Sequence, residues 1–389
     1  MSDPTVYDVI IAGGGPAGST AGYILSKAGL KVLIIDKSKF PRKKLCGGLI
    51  TYKTIRLLER IFGETASSLD EQGIIDCESD SYEIRNKHNI LLKGTTSIPL
   101  RFVERYDYDN FLLQKALNTG ANIIEGERIV SIDILKGIVV ALSGQKFEAK
   151  IIIGADGVNS TIRNNFPVDL FGREDWKGNV ASAHEIFVNK DNTSIQFTHP
   201  VIFFGFIDWG YTWIFPGQNK LKIGICGLKS KNNKKLLASF RDFLSTIGLT
   251  GVDNQTISSY VVPYGSFLPS PIFRNVLLVG DAAGFADPLF GEGIFYAQRS
   301  AELAAKAVLD FIRKDISLDL LKQTYLDSLQ KHIYTELIYA EKIRDTMFKY
   351  LNKFGWYPLK ILLRLYGDKS IETIHGIRSY KWMKMSTQI

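Results

Sequence analysis

The chain has 389 residues, 45% of them hydrophobic and 23% charged, with a formal charge of +8. This length predicts two or three domains with ample buried core, and the composition excludes a long disordered chain, a collagen and a disulfide scaffold. Three cysteines, Cys46, Cys77 and Cys226, show neither CxxC nor metal-ligand spacing, which points to a reducing compartment.

The first element is an apolar run, Tyr7–Ala12, that leads directly into glycines and reads as a strand instead of a signal peptide. Gly13-Gly14-Gly15-Pro16-Ala17-Gly18 follows, then a helix over Ser19–Ala28 ended by Gly29, then a strand over Lys31–Ile35 that reaches Asp36. This is a βαβ unit of the expected length. Further on, the pattern predicts a helix over Tyr108–Leu117. Strands are predicted over Ile123–Ile132, Gly137–Leu142 and Lys150–Ile153, the last ending at Gly154-Ala155-Asp156-Gly157.

From about Glu174 to Val262 the segments alternate and are rich in aromatics: Ala181–Val188, Ser194–Thr198, Val201–Ile207, Tyr211–Phe215 and Lys220–Gly227, with one helix over Lys234–Ile247. That predicts an antiparallel sheet facing a substrate. The stretch Val201–Pro216 is the most apolar, but Gly205, Asp208 and Gly210 interrupt it, so no membrane helix is expected. A buried strand, Asn275–Val279, returns to the first unit and ends at Gly280-Asp281. A helix through Ala297–Ile312 follows, and everything beyond Asp319 reads as helical.

The fold class is therefore α/β: a Rossmann-type dinucleotide-binding domain with an inserted antiparallel β-sheet substrate domain and a helical C-terminal region. The expected divisions are 1–75, 98–173 and 265–318 for the dinucleotide domain and 76–97 and 174–264 for the substrate domain. Residues 319–389 form the helical, basic region.

Gly13, Gly15 and Gly18 match G-x-G-x-x-G between a strand and a helix: the first permits a tight turn, the second a close approach to pyrophosphate, the third close helix–strand packing. The helix start offers free N–H groups to phosphates, and Asp36 is placed to accept from ribose hydroxyls. This fingerprint alone fits NAD or FAD. The segment Gly280-Asp281-Ala282-Ala283-Gly284 favours FAD: after a buried strand it sets one carboxylate at a ribityl chain, or at a helix N-cap, or both. The following Pro288-Leu289-Phe290-Gly291-Glu292-Gly293-Ile294 predicts a second helix start, facing the flavin edge where negative charge develops on reduction.

These marks, with Asp156, Ser160 and Arg163, are similar to those of flavoproteins of the p-hydroxybenzoate hydroxylase fold. Within that group the chain resembles the geranylgeranyl reductase family, through Phe40-Pro41-Arg42-Lys43-Lys44-Leu45-Cys46-Gly47-Gly48, Tyr211-Thr212-Trp213-Ile214-Phe215-Pro216 and the Gly280–Ile294 segment. Asp287 and Phe290 depart from the family pattern, with consequences expected for the pocket near the flavin. The resemblance implies an FAD enzyme that saturates isolated C=C bonds of polyprenyl chains in lipids, quinones or prenyl diphosphates. It implies FAD contacts from Gly13, Gly15, Pro16, Ala17, Gly18, Asp36, Lys37, Lys44, Cys46, Gly47, Gly48, Arg105, Val130, Asp156, Gly280, Asp281, Gly291, Gly293 and Ile294. Arg105 is expected to hold the FAD phosphates bidentately, or else to make a surface ion pair, and Val130 to meet the adenine through its backbone. Cys46 is expected beside the flavin, with a proton-delivery role, or else as a small buried hydrophobe. Tyr211, Trp213 and Phe215 alternate along a strand and share one face, which the pattern alone reads equally as core of the sheet domain or as a pocket wall; the resemblance makes them, with Pro288 and Phe290, the expected substrate wall, Tyr211 and Trp213 with Cys46 being the expected catalytic set.

The five histidines are scattered and no metal site is expected. From Lys342 onward ten Lys or Arg face three acids, so this tail carries +7 of the total +8 and holds Phe354, Trp356, Tyr357, Tyr366, Tyr380 and Trp382. It reads either as a solvated helical face or as a contact for an anionic surface. With an isoprenoid substrate the expectation is a cytoplasmic protein peripheral on the inner face of the cell membrane, with no nucleic-acid partner. The electron donor is expected to be external, NAD(P)H or a ferredoxin-like protein. A flavin monooxygenase or halogenase on the same fold is the alternative, and a non-enzymatic FAD-containing RNA- or membrane-binding protein the third reading.

Overall fold

The computed structural model describes residues 5–167, 173–193, 197–232 and 235–381. In chain order its strands are β1 (Thr5–Ala12), β2 (Val32–Asp36), β3 (Leu49–Ile50), β4 (Ile75–Asn86), β5 (Asn89–Val103), β6 (Asn122–Glu125), β7 (Ile129–Asp133) and β8 (Ile138–Ala141). They continue as β9 (Lys146–Gly154), β10 (Val180–Asn189), β11 (Val201–Phe204), β12 (Gly210–Pro216), β13 (Lys220–Leu228), β14 (Ser258–Pro263), β15 (Ile272–Phe273) and β16 (Val276–Leu278).

One sheet runs β15-β16-β9-β1-β2-β6, with β8 and β7 added beside β9. From β16 to β6 its neighbours are parallel. Val9–Ala12 and Val32–Asp36 are buried throughout because helices cover the sheet, which explains their unbroken apolar runs. The helix Pro16–Lys27 packs against two others, Arg105–Leu117 and Ile294–Lys314. The single strand expected over Ile123–Ile132 is two, β6 and β7, because Gly126 takes a left-handed φ of +72° between them.

The second sheet runs β14-β10-β13-β12-β11-β4-β5-β3. It departs from the expected all-antiparallel pattern at one place, where β11 pairs parallel with β4. Half of this sheet's far side is the long hairpin β4–β5, which the sequence reading did not resolve into strands. Of the expected segment Ser194–Thr198, residues 194–196 lie outside the described residues and Phe197 and Thr198 are not in a strand. The expected helix start Lys234 and the tail residue Trp382 also lie outside them.

Strand alternation gives this sheet two different faces. Ile214, Ile223, Ile225 and Phe203 pack with Phe240 and Phe243 of the helix Leu236–Thr246 on one side. Tyr211, Trp213, Phe215 and Cys226 lie on the other, where Phe348, Leu351, Leu359, Leu363 and Ile371 of the C-terminal helices join them. Those helices, Thr335–Phe354 and Tyr357–Ile374, thus cover the aromatic end of the sheet. His375 then ties the chain back to the body: its carbonyl accepts from Lys53 N at 3.0 Å and its Nδ1 from Tyr52 N at 3.2 Å.

Candidate active site

A continuous cavity of about 650 Å³ is lined by residues of both sheets, within the range that small ligands and cofactors fill. One end is built on the glycine turn after β1. Gly13 has φ +100°, and a Cβ there would lie 2.5 Å from the Ala155 carbonyl oxygen; a Cβ on Gly18 would lie 1.8 Å from that of Gly13. Gly18 therefore seats the helix on the turn and does not itself line the cavity, whereas Gly13, Gly15, Pro16 and Ala17 do. The helix Pro16–Lys27 directs its unpaired N-terminal N–H groups at this space.

Asp36 and Lys37 line the same end. The Asp36 carboxylate accepts from Gly14 N at 2.7 Å and Ser38 N at 2.8 Å, so it fastens the turn as well as facing the cavity. Val130 is not brought there: Arg128 and Ile129 line the cavity, and Val130 is 43% exposed. An irregularity in the register between Ile129 and Ser131 leaves Val130 without a paired position opposite β8 and turns it outward.

Arg42, Lys44, Arg105, Asp156 and Asp281 line the middle. The bidentate partner of Arg105 is not left open for a phosphate. Its Nε and Nη2 donate to Asp109 at 2.6 and 2.8 Å, and Arg42 reaches the same carboxylate at 3.2 Å. Burial opposes the Arg105 charge, but Asp109 more than restores it and raises its pKa. Lys44 Nζ sits 2.9 Å from the centroid of the Tyr260 ring. Burial, aided by Arg105, pulls its pKa down to about 7 against the opposing Asp281. Asp156 accepts from Thr161 N at 2.6 Å, and burial pushes its carboxyl up. Asp281 accepts from Tyr260 Oη at 3.1 Å. The expected helix after Gly280 is only one 3₁₀ turn, Gly280–Ala282, and Asp281 does not cap it. Gly280 itself lies off the cavity, with Ala17 and Ala297 so close that a Cβ would meet both within 3.3 Å.

The third region holds Cys46, Gly47 and Gly48 opposite Gly291, Glu292, Gly293 and Ile294. The helix Ile294–Lys314 begins here, so its N-terminus opens on the cavity as expected. Glu292, its side chain 12% exposed, pairs with Lys53 at 2.5 Å and accepts from Thr51 Oγ1 at 2.6 Å; desolvation in this enclosed position raises its pKa. Gly48 N donates to Cys46 Sγ at 3.4 Å. Tyr211, Trp213, Phe215 and Phe290 form the wall, with ring separations of 5.8 Å, 6.1 Å and, from Tyr211 to Phe290, 6.1 Å. Tyr211 Oη donates to the Phe290 carbonyl, which joins the sheet to the loop.

Two residues of this segment stand behind the cavity. Pro288 is buried but lies off the cavity, and so does Asp287, whose Oδ1 accepts from Leu289 N at 2.8 Å and Phe290 N at 2.7 Å and shapes the turn from behind. The sequence reading also missed Glu185, Cys226, Tyr260 and Ile374, which all line the cavity. For the three strand residues the signal was present as alternation, but only the pairing of strands turns alternation into a shared face.

The residues fit FAD. The cradle at Gly13 admits no Cβ, helix N-termini face both ends, cations lie in the middle, and the far end is aromatic. Among the described residues no group of His, Cys, Asp or Glu could hold a metal ion.

A family model described as an FAD binding domain matches residues 6–325. A geranylgeranyl diphosphate reductase of Rhodobacter capsulatus is 30% identical over 326 residues, covering 81% of this chain and 78% of its own length. A digeranylgeranylglycerophospholipid reductase of Methanococcus aeolicus is 29% identical over 378 residues, covering 89% of this chain and 88% of that one. Among solved structures, a geranylgeranyl bacteriochlorophyll reductase-like protein of Thermoplasma acidophilum matches with a TM-score of 0.75 at 20% identity, covering 89% of this chain and 88% of that chain. At that identity the likeness is one of fold.

Proposed function

This chain belongs to the FAD-binding domain family, within its geranylgeranyl reductase branch, and from that premise we propose that it saturates isolated C=C bonds of polyprenyl chains in lipids, quinones or prenyl diphosphates. It is an FAD-dependent oxidoreductase. The observation that carries the substrate reading is the wall of Tyr211, Trp213, Phe215 and Phe290 at the far end of the cavity. Bound and reduced, FAD would supply the hydride.

An isolated alkene has no carbonyl to polarise, so the second carbon must receive a proton. Positive charge then builds on a tertiary carbon, and an aromatic face stabilises such charge by about 2 kcal/mol in a desolvated site. The wall also keeps out water that would trap the charge. Tyr211 is locked by its bond to Phe290, Trp213 presents its indole between two rings, and Cys46 flanks them from the opposite loop. Expression beside geranylgeranyl lipids, followed by mass spectrometry, tests the reading. Products that gain two hydrogens per bond support it; products that gain oxygen, as from a monooxygenase or halogenase, overturn it.

The C-terminal helices suit a substrate held in a bilayer. Thr335–Phe354 and Tyr357–Ile374 expose Tyr350, Phe354, Tyr357, Ile361, Leu365 and Tyr366, interleaved with exposed Lys349, Lys353, Arg364 and Lys369. Aromatic and cationic groups together favour an anionic lipid surface. No helix among the described residues is long and apolar enough to cross a membrane. This reading makes the protein peripheral on the inner face of the cell membrane, served by a transiently docking electron donor, NAD(P)H or a ferredoxin-like protein.

A further inference from the structure

Cross-strand register puts Ser258, Glu185, Gly224 and Trp213 side by side across β14, β10, β13 and β12. Of this row Glu185 and Trp213 line the cavity, Glu185 although only 3% exposed. Gly224 leaves the gap that the indole occupies: a Cβ there would come within 2.2 Å of Trp213 Cζ2. The indole therefore lies over the strand between Trp213 and Glu185. Its Nε1 would be 3.4 Å from a Cβ on Gly47, so the Cys46–Gly47 loop closes over the same place.

Four groups act on the Glu185 carboxyl. Lys222, the Cys46 backbone N–H and the nearby Trp213 indole favour its charged form and Glu104 opposes it, while among the described residues Glu185 Oε1 and Trp213 Nε1 are buried with no hydrogen-bond partner. Lys222 is spent elsewhere, on Asp76 at 3.3 Å, Glu104 at 2.9 Å and the Val103 carbonyl at 3.0 Å. Burial outweighs the favourable contacts and pushes the carboxyl up to about 7.

We propose that Glu185 is the acid that supplies the proton consumed in the reduction, an inference that rests on the prenyl-reductase reading. In that step the Glu185 O–H bond breaks and the alkene π pair forms a C–H bond with its proton. The neighbouring carbon takes a hydride from reduced flavin, so the alkene is reduced and the flavin oxidised by two electrons. Glu185 is left as a carboxylate and regains a proton from solvent. Other groups on the cavity serve less well. Burial pushes the Tyr211 and Tyr260 phenols far above their usual range and the Cys226 thiol up to about 12. Glu292 is held by Lys53 and Thr51, and Asp281 by Tyr260. Glu185 is the wall's own carboxyl, protonated near neutrality yet acidic enough to release its proton.

The test compares the wild-type holoenzyme with Glu185→Gln and Glu185→Asp, using geranylgeranyl diphosphate as probe after dithionite reduction under inert gas. Glu185→Gln is expected to bind FAD normally and lose roughly a hundredfold or more in saturation rate. The wild-type rate is expected to fall above pH 7. With FAD held saturating at every pH, Glu185→Asp should restore part of the rate with a displaced pH limb, and Glu185→Gln should show no limb. Infrared difference spectra add a readout independent of turnover: a protonated-carboxyl band that disappears as pH rises through 7 and is missing in Glu185→Gln. Full activity with an unchanged pH limb in Glu185→Gln, or no such band in the wild type, would overturn the proposal. A wild type that shows the band but reduces no prenyl chain overturns the reading of the function, and with it the proton's destination, while the protonated carboxyl stands.

Discussion

Lys44 makes FAD affinity depend on pH, with a sign that burial sets. In the cavity its pKa is lowered to about 7, from an ordinary 10.5. If Lys44 meets the FAD phosphates as proposed, their charge would favour the ammonium, and binding above pH 7 would require uptake of one proton. Below pH 7 the lysine is already charged and affinity should be flat. Above it, each pH unit should weaken binding about tenfold, or about 1.4 kcal/mol, so between pH 7 and 9 the Kd rises roughly a hundredfold. The apoprotein responds oppositely: its unfolded chain binds more protons between pH 7 and 10, so this residue's contribution to stability grows as pH rises. Titrating apoprotein with FAD by flavin fluorescence, at constant ionic strength from pH 6 to 9, measures the slope. Lys44→Met should bind more weakly and without the slope, and Lys44→Arg should hold its charge throughout. A wild-type Kd constant to pH 9, or a slope that persists in Lys44→Arg, would refute the reasoning.

Gly224→Ala forces the Trp213 indole away by more than an ångström, since the new methyl would lie 2.2 Å from it. Overpacking of this kind costs about 1–3 kcal/mol, so the melting temperature should fall and the tryptophan fluorescence shift. Arg105→Met leaves the fully buried Asp109 with Arg42 alone. Breaking such a pair costs about 3 kcal/mol, read as a lowered denaturant midpoint. Replacing Tyr357 and Leu365 by serine should sharply reduce sedimentation with anionic vesicles while leaving FAD content unchanged, because both side chains are mostly exposed, at 74% and 69%.

The βαβ unit was legible because its information is local: β1, the glycine turn, the helix and Asp36 lie within thirty-odd consecutive residues, each with its own chemical signature. The hairpin β4–β5 was not. Its strands are half-exposed and polar, and β4 finds its parallel partner β11 more than a hundred residues later. Arg105 shows a pairing that spacing could have revealed, since Asp109 stands four residues on, where a helix brings the two together. Glu185 shows one that it could not: a carboxylate alternating with Ala183 and Phe187 gives no sign of Trp213 until β10 and β12 are both paired with β13. Pro288 was expected on the wall, but the turn fastened by Asp287 leaves it off the cavity lining.

The central claim is that this cavity joins bound FAD to a polyprenyl alkene. Its most direct measurement is a single turnover under inert gas, following flavin absorbance and product mass together after reduced holoenzyme meets geranylgeranyl diphosphate. The account predicts one saturated bond for each flavin oxidised, with no oxygen required. Flavin that stays reduced until air is admitted, with products that then carry oxygen, would contradict it.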